Sequence, residues 1–138
     1  MEHIAILDPL YVALIVDGTK TIEARLLPDR RAPFGRVTAG DTVYLKPTGQ
    51  AIAAVADVRW IRQHENLTPS AVDGLAEKYH SGVCAPDEFW TQYRHARCAL
   101  LIRLQNARLL EPHEAPAFTK RNRRSSWECL CDTPSAAA

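Results

Sequence analysis

The sequence predicts an α+β fold, a single small domain in which short strands are interleaved with helices. Three observations carry this. First, runs such as Thr21-Ile22-Glu23-Ala24-Arg25 and Thr42-Val43-Tyr44-Leu45-Lys46 alternate polar and apolar residues, the period of a half-buried strand. Second, Asp8-Pro9 and Thr68-Pro69 pair an N-cap with a proline at the first helical position, and each precedes apolar residues at helical spacing. Third, 138 residues with 46% apolar and 24% charged side chains fill one ordinary globular domain and leave too little chain for two.

In chain order, His3-Ile4-Ala5-Ile6-Leu7 is rich in β-formers and is stopped by Asp8-Pro9. A helix follows, with Leu10, Val12, Leu14, Ile15 and Val16 on its apolar face and Gly18 at its close. Tyr11 reads as a packing residue whose hydroxyl can also look into a cleft. The strand Thr21–Arg25 places Thr21, Glu23 and Arg25 on one face and Ile22 and Ala24 on the other, while Lys20 can bend over its edge. Leu26 to Gly40 is a long connection in which Pro28 and Pro33 disfavour regular structure. Thr42–Lys46 is the next strand, and Ala51–Ile61 a long β-like run whose small alanines suit a crowded barrel interior. A helix from Pro69 ends at His80-Ser81-Gly82, and a second spans Pro86 to Ala96 with Phe89, Trp90 and Tyr93 reading as core. Arg97–Leu104 is a nearly continuous apolar strand that Arg108-Leu109-Leu110 extends or pairs with, and Trp127–Cys131 closes the domain. The domain is expected over residues 1–131, with residues 132–138 a flexible tail.

Formal net charge is +1, which excludes a global basic field, so any nucleic-acid binding has to come from a local patch. No apolar run approaches the roughly 20 residues that span a bilayer, and Met1-Glu2-His3-Ile4 lacks a signal-peptide pattern, so the expectation is a cytoplasmic protein without a membrane partner. Cys84, Cys98, Cys129 and Cys131 contain no C-x-x-C pair. They read as small hydrophobes, and neither a metal nor another cofactor is expected; Cys129-x-Cys131 is the one arrangement to check.

The concentrated chemistry is Gly18-Thr19-Lys20-Thr21-Ile22-Glu23-Ala24-Arg25. A lysine supplies a compact charge, an arginine a fixed fork for phosphate or carboxylate, and a glutamate between them orients both or takes a proton. Spacing alone equally allows a solvated strand with a Glu-Arg pair. Arg30, Arg31 and Arg36, with Phe34 among them, either grip phosphates or keep an exposed loop soluble. Lys120, Arg121, Arg123 and Arg124 precede Ser125-Ser126-Trp127, a basic run ending in hydroxyls and an aromatic, which fits a nucleic-acid backbone better than a solvated face.

Gly-x-Lys-x-x-Glu-x-Arg resembles the signature of the ASCH domains, with Gly18, Lys20, Glu23 and Arg25 in its four positions and Gly40-Asp41 entering a strand at the expected distance. The resemblance implies a PUA-like mixed β-barrel of about five or six strands with helices packed outside. It also implies a cleft beside the barrel mouth that binds RNA or a nucleoside. Two activities reported in the group give alternatives, and a non-catalytic RNA-binding module is the third. In the branch that hydrolyses N-acetylated cytidine, a lysine, a threonine and a glutamate do the chemistry. Lys20 matches the lysine, but Glu23 stands where the threonine is expected, so Thr21 or Thr19 would have to substitute. A metal-independent ribonuclease needs a base, a cation on the phosphate and a proton donor. Lys20, Glu23, Tyr44, Lys46 and Ser126 are the catalytic candidates. Arg25, the loop arginines, the basic run and Trp127 are the binding candidates. As charged residues at a strand end, Lys20 and Arg25 are expected to be replaceable by alanine without loss of folding.

Overall fold

A computed structural model describes residues 1–118 and 125–130. The basic run with Lys120, Arg121, Arg123 and Arg124, the proposed tail and Cys131 lie outside the described residues.

Strand β1 (Glu2–Leu7) leads into helix α1 (Pro9–Val16). The Asp8 carboxylate accepts from the Leu10 N–H at 2.8 Å and Pro9 sits at the first helical position, as the sequence predicts. Gly18 then takes φ +88°, a left-handed value that glycine adopts without steric cost, and turns the chain into β2 (Ile22–Leu27). Next come β3 (Thr42–Pro47), β4 (Ala54–His64), α2 (Pro69–Val83), α3 (Asp87–Gln92), β5 (Cys98–Leu109), a 3₁₀ turn (Pro112–Glu114) and β6 (Trp127–Cys129).

The strands form one sheet in the order β2-β5-β4-β3-β1-β6, with β1 and β3 parallel and every other pair antiparallel. The sheet curls into a half-barrel with α2 and α3 packed on its outer face and α1 against its inner core, a PUA-like α+β architecture. Its two faces carry separate cores. Ala5, Leu7, Val43, Leu45, Ala56, Val58, Leu100 and Ile102 fill the inner face together with Val12 and Ile15 of α1. Ile22, Ala24 and Leu26 of β2, with Ala99 and Leu101 of β5, pack under α2 and α3. Alanines at 54 and 56 leave the inner face of β4 room for the larger side chains opposite.

Several expected boundaries move. β5 runs unbroken to Leu109 and absorbs both apolar segments, its register against β4 shifting between Val55 and Asp57 and again between Val58 and Trp60. β4 starts at Ala54, three residues later than the sequence suggests, and continues to His64 because β5 pairs it that far. α3 stops at Gln92, since Tyr93 leaves helical geometry at φ −102°, ψ 19°. Its aromatics divide accordingly: Trp90 is buried, Phe89 half-buried and Tyr93 exposed. α2 runs one residue past Gly82, and Cys84 caps it in the left-handed conformation. Of the cysteines, Cys98 is buried while Cys84 and Cys129 are only partly so. Among the described residues no helix is long and apolar enough to cross a membrane.

Candidate functional site

The curl of the sheet brings its edge strands β2 and β6 near one another, and side chains cross the gap. Glu23 pairs in register with Ile102 and Arg25 with Leu100, so both point to the inner face, as Trp127 does opposite Ala5. The alternation predicted for this strand holds for Glu23 and Arg25, which face inward, and for Ile22 and Ala24, which anchor the helices, but not for Thr21, which precedes β2 and lies against Gly82.

Arg25 is the hub. Its Nε donates to Glu23 Oε2 at 2.9 Å, its Nη1 donates to Ser126 Oγ on β6's flank, and its guanidinium carbon lies 5.3 Å from the Trp127 ring centre. Nη2 is buried and has no hydrogen-bond partner among the described residues. Glu23, 7% exposed, offers its other oxygen to Lys20 Nζ at 3.4 Å. The three side chains together carry one net positive charge.

Lys20 is placed differently from the sequence reading. It is only 2% exposed; its ammonium donates to the Ile22 and Val83 carbonyls and forms an ion pair with Glu23. Its ammonium also lies 5.0 Å from the centre of the Tyr11 ring. It is fixed inside the wall, tying the end of α2 to β2, and does not reach into solvent. The expectation that alanine could replace it without loss of folding is corrected by this burial, because three acceptors would lose their donor.

Two clefts meet at Arg25. One, of about 310 Å³, is lined by Tyr11, Glu23, Arg25, Phe89, Tyr93 and Ser126 among others. The second, of about 520 Å³, is lined by Arg25, Arg31, Pro33, Ser125, Ser126 and Trp127 among others. Arg25, Leu27 and Ser126 belong to both. Burial, with help from Glu23 and Asp8, pushes the Tyr11 phenol up, so it keeps its proton through neutral pH. The first cleft thus presents a protonated hydroxyl, a carboxylate and a guanidinium together.

Tyr44 and Lys46 are not part of this group. Tyr44 lies opposite Ile4 on the outer face of the sheet and donates to Glu2 at 3.2 Å, and Lys46, two residues on, shares that face. The alternation correctly turns Val43 and Leu45 to the core, but it does not show that the opposite face of β3 lies away from Glu23 and Arg25. Arg31 reaches the second cleft with its guanidinium on Asp29 at 2.7 and 3.0 Å. Arg30 pairs with Glu65, and Arg36 also has a partner. Thr21 lies against Gly82 at the end of α2 and does not line the Glu23 cleft. The site also uses residues that the sequence reading did not assign to it. Phe89 and Tyr93 read as core from their helical spacing, and His3 carries no signal in the sequence. Among the described residues no three His, Cys, Asp or Glu side chains are grouped to hold a metal ion.

A curled mixed sheet packed with helices is a PUA-like architecture. No family model matches the chain, and no curated protein matches it in sequence. Among solved structures it superposes on crystal structures of the ASCH protein of Zymomonas mobilis. A tyrosine-to-phenylalanine variant matches at a TM-score of 0.65 and 21% identity, covering 80% of this chain and 73% of that one. Another structure of that protein gives 0.63 and 21% over 78% and 69%, and a serine-to-alanine variant 0.64 and 18% over 87% and 89%. The chain has the ASCH fold.

Proposed function

We propose that the seam binds single-stranded RNA, with a phosphate received by Arg25. The observation that carries this is the Arg25 guanidinium, held by Glu23 and Ser126 and packed against Trp127, in a residue that lines both clefts. A guanidinium so fixed is preorganised for a phosphate oxygen, and the surplus positive charge of the cluster favours an anion. Tyr93 and Phe89 on one side offer ring faces to a base, and Arg31 on the other lies along the continuing backbone.

A second reading, metal-independent phosphodiester cleavage, is favoured by the Tyr11 phenol beside Glu23, a proton donor and an acceptor in one cleft. Deacetylation of a cytidine draws less support, since the Lys20 ammonium is consumed by two carbonyls and a carboxylate.

The test mixes the protein with short labelled single-stranded RNA and with N-acetylcytidine, without added metal. A salt-sensitive complex is expected, weakened about tenfold or more by Arg25→Ala, the loss of one charge-assisted contact. Cleavage abolished by Tyr11→Phe would add the second reading. Absence of any complex at low salt, or indifference to Arg25→Ala, overturns the proposal; acetate release replaces it with deacetylation.

A further inference from the structure

Behind Trp127 lies a buried polar chain that the binding reading does not use. His3, fully buried on the inner face of β1, accepts from the Trp127 indole N–H through Nδ1 at 3.2 Å, and its Nε2 meets Asp41 Oδ2 at 2.8 Å. Because the indole can only donate, Nδ1 must be the acceptor and Nε2 must carry the hydrogen. Asp41 is itself fixed: its oxygens also accept from the Thr38 N–H at 2.9 Å and the Thr38 hydroxyl at 3.0 Å, with the terminal ammonium at 3.4 Å. The direction of every donor is thereby set from the β3 entry turn across β1 to the indole on β6.

We infer that Asp41 and His3 are positioning residues of the seam: they fix the plane of the Trp127 ring, and through that ring they hold the Arg25 guanidinium at the junction of the two clefts. Three geometric facts support this. The His3 and Trp127 rings are 5.5 Å apart at 52°, a contact that leaves the indole one orientation in which its N–H is satisfied. Trp127 belongs to a strand of only three residues, so backbone pairing alone orients it weakly. The Arg25 guanidinium carbon lies 5.3 Å from the Trp127 ring centre, so a turn of that ring changes what packs against the guanidinium that Glu23 and Ser126 hold by its edge. A buried polar chain of this kind is costly unless every member is satisfied, which makes it a specifying device.

The inference rests on the RNA-binding reading only in one arm of its test. The first arm needs no ligand: hydrogen exchange of the Arg25 Nε–H is followed by NMR in the wild type, in His3→Leu and in Trp127→Phe. The second variant keeps an aromatic ring at the seam but removes the five-membered ring with its N–H, so it covers the case in which His3→Leu fails to fold. Exchange is expected to accelerate about tenfold or more, while amides in the centre of β4 and β5 stay protected. The second arm measures RNA affinity across a cycle of His3→Leu and Arg25→Ala, two residues joined only through the Trp127 ring. Residues acting through one another give non-additive losses, whereas a merely structural histidine gives additive ones. Unchanged Arg25 exchange in Trp127→Phe, or additive losses in a protein that binds RNA, overturns the positioning role. Accelerated exchange in a protein that binds no RNA upholds the role and overturns the binding reading instead.

Discussion

At the scale of single residues, Lys20 and Arg25 show how one signature splits into two jobs. They stand five positions apart in a motif of charged side chains, yet Lys20 is sealed at 2% exposure while Arg25 reaches the clefts. The sequence identified both as central, and spacing correctly set Glu23 and Arg25 on one face. What spacing could not show is that the carbonyl of Val83, 63 residues away, would take the lysine out of solvent. Lys20→Met is therefore expected to lower unfolding free energy by about 2–4 kcal/mol, since the methylene volume is kept but two carbonyls and a buried carboxylate lose their donor. Arg25→Met breaks a largely buried pair with Glu23 but leaves Glu23 beside Lys20, so it is expected to cost less than Lys20→Met. Urea titration of the two variants checks the order, and equal losses would mean that Arg25 is as structural as Lys20.

At the scale of elements, the docking of α2 onto β2 sets where the lysine sits. Gly82, in the last turn of α2, lets the helix approach so closely that a Cβ there would stand 2.8 Å from Ile22 Cδ1 and 3.1 Å from Thr21 Oγ1. The Thr21 N–H donates to the Gly82 carbonyl at 2.9 Å, and the next carbonyl, that of Val83, receives Lys20. Gly82→Val is expected to push the helix off the strand and destabilise the domain by about 1–3 kcal/mol, the usual cost of overpacking. It is also expected to expose Lys20, which would then react with amine-modifying reagents that spare the wild type. Unchanged stability and unchanged labelling would show that Ile22 gives way without moving the helix. The elements themselves were largely legible: Asp8-Pro9 and Thr68-Pro69 opened helices where expected, and alternation found β2 and β3. The meaning of Gly82 was not, because a glycine near a helix end reads as a stop signal and its close packing depends on a strand 60 residues earlier.

At the scale of the whole molecule, the fold is a sheet whose edges meet through side chains, and its ties at one end converge on Asp41. Burial pushes that carboxyl up, but hydrogen bonds from His3, from both Thr38 groups and from the terminal ammonium outweigh it and hold it below its ordinary value of 3.8. The sign follows from linkage: a carboxyl that binds its proton less readily in the folded state contributes stability that is complete above 3.8 and is lost as pH falls through the lower folded value. The acid side of the stability profile is therefore expected to steepen below about pH 4 in the wild type, and Asp41→Asn, which cannot titrate, to flatten it. The other depressed carboxyls, such as Asp17, Asp73 and Glu114, are exposed and solvent-screened, so they contribute little to that slope. Chemical denaturation at a series of pH values measures both curves. Parallel curves would mean that the β1–β3–β6 end is held by its apolar packing and that the Asp41 network only orients what the core has already fixed. A flattened variant curve would make the same carboxylate a tie that holds the sheet end together as well as a guide for the ring at the seam.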